Sequence, residues 1–178
     1  MTLSARVPLI NRTTHPECAD LIEAVKAQRG GTFLNLYGAL GNSPQVCSGW
    51  LLLFTAIRQK TKLSPKLREL IMLRVAVLNR APYEFDSHRP HALAAGVTQA
   101  QLDALQSQAL NASLFSPLEM AVLAYADAMT RDIQVTEQVF APIRAAFDDQ
   151  VVLELTVTVA GYNMVSRVLE ALKVPHDI

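Results

Sequence analysis

Cysteine is nearly absent from this chain. Cys18 and Cys47 are the only two, far apart in sequence. With no export signal ahead of them they read as reduced, buried thiols rather than a disulfide. Neither stands in a C-x-x-C pair or beside a basic cluster, so neither carries the sequence signature of a reactive thiolate. Charge is sparse as well, at 18% of residues, and 16 basic side chains balance 16 acidic ones. Without a basic excess or a clustered basic face there is no footprint for nucleic acid. No apolar run approaches the roughly 20 residues that cross a bilayer, so no membrane partner is expected. The opening MTLSARVPLINRTTHPE lacks the apolar core of a signal peptide, and the expected location is cytoplasmic. What the chain has in excess is apolar side chains, 51% of its 178 residues. That is more than an isolated monomer of this length needs for its core, and it points to a subunit interface. The length bounds the answer to one domain, or one domain with an arm.

One stretch organises the rest: SPKLRELIMLRVAVLNRAPYEFDSHRPHALAAG, residues 64–96. It reads as two helices meeting at a break. Ser64 caps the first and Pro65 occupies its first turn, where a missing N–H costs nothing. Residues 67–78 are almost all apolar, which suits a helix buried on most sides, with Glu69 and Arg74 as exceptions. Pro82 cannot continue that helix but can open a second. Glu84 then falls in the first turn and His88 four residues later, on the same face. Gly96 offers a left-handed stop. A carboxylate in an apolar run, a carboxylate at a helix start and a histidine converge on one junction, and this is the candidate for chemistry.

The remaining segments also read as helices. Thr14 with Glu17 resembles a capping box for a helix over 16–28, broken by Arg29, Gly30 and Gly31. A short segment over 33–40 carries Tyr37, and Ser43–Pro44 starts a helix running to about 60. Thr98 with Gln101 caps a polar helix to about 110. Ser116, Pro117 and Glu119 combine a cap, a first-turn proline and a capping-box glutamate for a helix to about 131. Thr136 caps a helix to about 147, and Asp148 or Asp149 starts the last. Within that last segment Leu153, Leu155, Val157 and Val159 alternate as a strand would. Yet it runs some twenty residues with no partner strand anywhere in the chain, so a buried helix over 151–172 is expected. ELIMLRVAVLN from Glu69 and ELTVTVAGYN from Glu154 echo each other, which hints at a duplicated helical hairpin.

The spacing from Glu69 to the run A-P-Y-E-F-D-S-H resembles the carboxymuconolactone decarboxylase and AhpD-like family. The AhpD-like branch carries a glutamate, a C-x-x-C pair and a histidine four residues after the second cysteine. Position by position, Glu69 matches that glutamate and His88 that histidine, while the cysteine positions fall on Ala81 and Glu84. The sequence departs from the peroxidase pattern at both sulfurs. Its E-x-x-x-H resembles the decarboxylase branch, where a glutamate takes the second cysteine's place. The resemblance covers about 34–96, and more loosely 116–172, where YNMVSR is similar to the closing helix of longer members. It implies an all-α, AhpD-like bundle of packed helical hairpins, assembled as a homo-oligomer, usually a trimer or hexamer, with no bound cofactor. The division it suggests is a helical arm over 1–45 and a family domain over 46–178.

The same resemblance implies a cofactor-free acid–base lyase or isomerase acting on a small carboxylated, lactone-type compound. In such a reaction loss of CO2 pushes electrons through a double bond onto the lactone carbonyl, and the enzyme stabilises the dienolate oxygen and protonates carbon. His88 is the expected acid, since a histidine side chain ordinarily titrates near neutrality. Glu84 would hold the imidazole and Glu69 would act as relay or second base. Tyr37, Tyr83, Asn163 and Arg167 are substrate-binding candidates by family position, as is Tyr162; Arg74, Arg89 or Arg167 would take the substrate carboxylate. Each residue also has a plainer role. Glu84 gains about 0.3–1 kcal/mol from the helix dipole wherever it points. Glu69 could be the structural partner of Arg74, Arg80 or His88, and His88 a core histidine. Glu84, His88 and His91 share a face, but without a cysteine or an H-E-x-x-H pattern no metal site is expected. Two other functions stay open. A thiol peroxidase or disulfide reductase would need Cys18 or Cys47 to replace the missing thiolate. A non-catalytic oligomeric binding protein would keep the fold alone, and a sealed junction around His88 would favour it.

Overall fold

A computed structural model describes residues 5–108 and 110–177. Among the described residues the secondary structure is helical, with no strand. The chain divides into two compact units: residues 1–60 with 168–178, and residues 61–167.

In the first unit a 3-10 turn, Pro16–Cys18, leads into α1 (Ala19–Gln28), followed by α2 (Asn35–Leu40) and α3 (Pro44–Gln59). Ile10, Ile22, Val25, Cys47, Trp50 and Phe54 are buried between them. Gly30 and Gly31 take φ of 64° and 87°, left-handed values that end α1 as their sequence suggests. The capping box expected of Thr14 and Glu17 does not form: the N-cap is His15, with no side-chain cap. Asn11 takes Thr14 instead. The Asn11 carboxamide oxygen accepts from the Thr13 and Thr14 amides at 2.9 and 3.0 Å, and the Asn11 amide donates to the Thr14 hydroxyl. A local Asx turn has outcompeted the cap. The two ends of the chain also tie together here. The Arg6 amide donates to the Leu172 carbonyl at 2.7 Å, and the Asn35 amide to the Asp177 carboxylate at 2.7 Å.

The second unit contains α4 (Pro65–Leu78), α5 (Pro82–Ala94), α6 (Gln99–Gln106), α7 (Pro117–Arg131), α8 (Glu137–Ala146) and most of α9 (Asp149–Leu172). Its centre is α4, which packs against α5, α6 and α7. Nine of its residues are buried, Leu67 and the unbroken run from Glu69 to Ala76. Each fully buried leucine or isoleucine of that run contributes about 1.5–3 kcal/mol of transfer free energy. The Ser64 hydroxyl accepts from the Leu67 amide, as the sequence suggested. The far end closes in a Schellman motif. The Arg80 amide donates to Val77 and the Ala81 amide to Ala76, with Arg80 at φ 55° in the place glycine usually fills. That turn brings α5 back beside α4. Gly96, at φ 90°, ends α5. Capping boxes at Thr98–Gln101 and Ser116–Glu119 open α6 and α7.

The strand-like segment is one continuous helix, α9. Burial outweighs the weak helix propensity of its β-branched residues: Thr158, Val159 and Val165 are all buried. Two threonine hydroxyls also bond backward within the helix, Thr156 to the Val152 carbonyl at 2.7 Å and Thr158 to the Glu154 carbonyl at 2.6 Å. The two echoed motifs meet in space, with the Asn79 amide donating to the Asn163 side-chain oxygen at 2.9 Å. Among the described residues no helix is long and apolar enough to cross a membrane.

Candidate active site

Glu69 projects from the second turn of α4, within the buried run. Glu84 lies in the first turn of α5 and His88 one turn further on, so the Schellman turn at Arg80 sets the spacing between the two helices' groups. A carboxylate buried among leucines must be neutral or paired. Glu69 is paired: its Oε2 and His88 Nδ1 share a hydrogen bond of 2.8 Å. Of the partners the sequence left open for it, the structure selects His88. Arg74 is committed elsewhere, donating through Nε and Nη2 to the two oxygens of Asp127 at 2.6 and 2.5 Å. Nothing in the spacing of the sequence announces that bidentate pair.

The other ring nitrogen, His88 Nε2, faces two groups. The Tyr162 hydroxyl of α9 lies 3.2 Å away, and Glu84 Oε2 stands at 3.7 Å. The Tyr162 ring meets the imidazole edge to face, with centroids 5.1 Å apart. Glu69, Glu84, His88 and Tyr162 are respectively 6%, 4%, 4% and 2% exposed. Two carboxylates and a phenol thus surround one imidazole in a nearly dry environment, where electrostatic interactions are strong. The expectation gave Glu84 the task of holding the imidazole. The short bond belongs to Glu69, and Glu84 stands at the opposite nitrogen.

The remaining candidates fall in different places. Tyr83 is buried on α5. Asn163 sits in a polar network: its oxygen accepts from Asn79 and from Arg167 Nη1, and its amide donates to the Thr130 hydroxyl and the Val159 carbonyl. Arg167 is therefore held on Asn163, and Arg89 reaches Gln99 at 3.3 Å. Tyr37 belongs to the first unit, where its hydroxyl accepts from Arg29 Nε at 2.9 Å. Burial pushes that phenol above its usual range, and the Arg29 cation pulls it partly back. Cys18 and Cys47 are also in the first unit and both buried; burial, with a smaller push from Cys18, raises the Cys47 thiol to about 11. A cleft of about 290 Å³ opens beside the start of α5, lined by Arg80, Ala81, Pro82, Phe85, Asp86 and Gln108 among others. The Glu69–His88 pair and Glu84 do not line it. Arg80 was not among the arginines singled out for a substrate carboxylate. Tyr162 was named by family position alone, and only the echo between α4 and α9 pointed toward its helix.

The all-helical fold is shared with AhpD-like proteins of known structure. The chain is similar to the alkylhydroperoxidase AhpD core of an uncharacterized peroxidase-related protein from Ralstonia eutropha JMP134. The two share 18% identity with a TM-score of 0.81, over 97% of this chain and 92% of that one. It is similar to a variant of the debrominase Bmp8 in complex with 2,3,4-tribromopyrrole, at 16% identity and a TM-score of 0.80, over 99% and 94% of the two chains. An uncharacterized peroxidase-related protein from Silicibacter sp. TM1040 matches at 17% identity and a TM-score of 0.79, over 99% and 91%. These identities establish the fold. Residues 44–128 match the carboxymuconolactone decarboxylase family, and this segment contains Glu69, Glu84 and His88. The family resemblance read from those residues therefore stands, in a chain without the C-x-x-C pair. No curated protein matches the chain.

Proposed function

We propose that this chain is a cofactor-free acid–base enzyme of the carboxymuconolactone decarboxylase type, a lyase or isomerase acting on a small carboxylated, lactone-type compound. One observation carries the reading: a single imidazole bonded to Glu69 through Nδ1 and flanked at Nε2 by Tyr162 and Glu84. Burying such a group of ionisable side chains costs several kcal/mol relative to apolar packing, a cost that chemistry explains better than stability does. Glu69 stabilises the imidazolium by accepting from Nδ1–H, and Nε2 is the nitrogen from which a proton reaches a developing carbanion. Arg80 supports the choice of an anionic substrate. It lines the cleft beside α5, where its cation would favour an anionic ligand.

The thiol peroxidase reading has less support. Alanine and glutamate stand at the two cysteine positions, and a Cys47 thiol raised to about 11 is a poor source of thiolate at neutral pH. A second reading has an observation in its favour. His88 and both carboxylates are each less than a tenth exposed, which also fits a structural polar cluster in a non-catalytic binding protein.

Turnover of carboxymuconolactone, followed by CO2 release, separates the two. The enzymatic reading expects His88→Ala to lose roughly 100-fold or more in kcat while remaining folded. His88→Ala with wild-type kcat per folded molecule would end it and leave the structural cluster.

A further inference from the structure

We infer that Tyr162 is a positioning residue of the His88 centre, holding its reactive nitrogen in place in both protonation states from a helix outside the family-matched segment. The inference rests on the acid–base reading of His88. Residues 44–128 carry the family match, and Tyr162 lies beyond them on α9. Its hydroxyl is nonetheless within hydrogen-bond distance of His88 Nε2, at 3.2 Å, whereas Glu84 Oε2 at 3.7 Å is outside it. The ring is locked as well. Tyr162 is 2% exposed and packs edge-on against the imidazole. The backbone carbonyl of Tyr162 accepts from the Ser166 hydroxyl at 2.9 Å within the same helix.

The consequence follows from donor and acceptor counting. A neutral imidazole has one N–H and one lone pair. Glu69, as a carboxylate, requires the N–H at Nδ1, so Nε2 carries the lone pair and the Tyr162 O–H donates to it. When the ring takes a second proton, Nε2–H becomes the donor and the Tyr162 oxygen the acceptor. The phenol serves both states by rotating one hydroxyl. A proton leaving Nε2 breaks the N–H bond and restores the lone pair, and the Tyr162 O–H turns back to meet it. Tyr162 keeps its own proton throughout, so the centre gains and loses one proton per cycle. Titratable groups facing the ring include Glu69 from α4, Glu84 and His91 from α5, and Tyr162 from α9. Among them Tyr162 is the group that can change from donor to acceptor at Nε2 without changing charge.

The test needs no substrate in its first arm. Ring-nitrogen NMR of the full chain, at a pH where His88 is neutral, should show Nδ1 protonated and Nε2 as a hydrogen-bonded lone-pair nitrogen. Tyr162→Phe keeps the ring and removes the hydroxyl, and the Nε2 resonance should then move toward that of a free lone pair. Difluorotyrosine at position 162 covers the case in which the phenylalanine variant does not fold. It keeps the bulk and strengthens the donor, and should move the resonance the opposite way. An Nε2 signal unmoved in a folded variant of either kind overturns the inference. In the second arm, carboxymuconolactone turnover should show Tyr162→Phe lowering kcat about tenfold with KM unchanged. A moved resonance with unchanged kcat, in a protein whose His88→Ala variant is inactive, overturns the positioning role. If His88→Ala is itself fully active, the acid–base reading is what fails, and the NMR arm still reports whether Tyr162 holds Nε2.

Discussion

The junction between α4 and α5 turns on which carboxylate does what at His88, and this is where spacing and structure part. Glu84 and His88 were legible as a pair because i and i+4 share a helix face. Glu69 was legible because a carboxylate stands out in an apolar run. The pairing of Glu69 with His88 was only one of three options, since the choice depends on a turn whose left-handed residue is an arginine rather than the usual glycine. The bond lengths give unequal expectations for two conservative variants. Glu69→Gln replaces the acceptor of the 2.8 Å bond by a neutral amide and should lower kcat roughly 100-fold, whereas Glu84→Gln, at 3.7 Å, should lower it about tenfold. Steady-state kinetics with a thermal melt of each variant checks the order. Equal losses, or losses that follow the melting temperature alone, would contradict it. A second expectation concerns Cys47. With its thiol raised to about 11, only about one molecule in ten thousand carries the thiolate at pH 7, and a disulfide reagent should label it very slowly until the chain unfolds. Fast labelling of the native protein would reopen the peroxidase reading.

The helices themselves were written locally and could be read locally. Ser64, Thr98 and Ser116 each cap the helix they precede, because the cap needs nothing but the next three residues. Thr14 failed for the same reason turned around: Asn11 lay within reach and made a better local bond. The strand-like pattern of α9 misleads because Leu153, Leu155, Val157 and Val159 do not share one buried face: Leu155 and Val159, four apart on the helix, are buried, while Leu153 is exposed. The capping box of α7 also has a pH signature. Burial pushes the Glu119 carboxyl up, but the Lys66 ammonium at 2.7 Å and the Ser116 amide and hydroxyl more than offset this and hold it below the usual range. A carboxyl whose folded pKa is depressed stabilises fully above its unfolded value, about 4.3, and loses that contribution as the pH falls through the folded value. Lys66 is about one-third exposed, so the charge term is screened. Glu119→Gln keeps an oxygen for the Ser116 amide and should cost no more than about 1 kcal/mol at pH 7, a cost that disappears once the pH has fallen through the depressed folded value. Denaturant titrations at neutral pH and along a descending acid series test it, and a gap that never closes in acid would mean the charge is not its source. Arg80→Gly acts at the other end of α4. Relieving a left-handed arginine should stabilise the chain by up to about 1 kcal/mol. Under the proposed function it should also raise KM, by removing the cation from the cleft.

At the scale of the molecule, the joining of residues 168–178 to the first unit has no local sequence signal. It is created by bonds such as Arg6 to Leu172 and Asn35 to Asp177, between residues more than a hundred positions apart. The apolar excess, by contrast, was plain in the composition, and the structure shows where part of it lies. In the first unit α3 carries no charged residue before Arg58 and exposes Val46, Leu52 and Leu53 at 56%, 71% and 40%. In the second unit α9 exposes Leu153 and Met164, with Ala160 between them on the same line. Uncharged, solvent-facing apolar stripes on two long helices are unusual in a protein that works as a monomer. A second copy of the chain is the occupant that meets them without like-charge repulsion. A homo-oligomer is therefore expected, a trimer or hexamer on the family resemblance, and light scattering at micromolar concentration should find no stable monomer. Leu52→Lys places a charge at the most exposed of the α3 positions. If α3 is the contact, this variant should dissociate the assembly while leaving the helical signal intact. A well-folded wild-type monomer, or a Leu52→Lys protein still fully assembled together with a Leu153→Lys protein equally unaffected, would show that these faces are not what the excess is for.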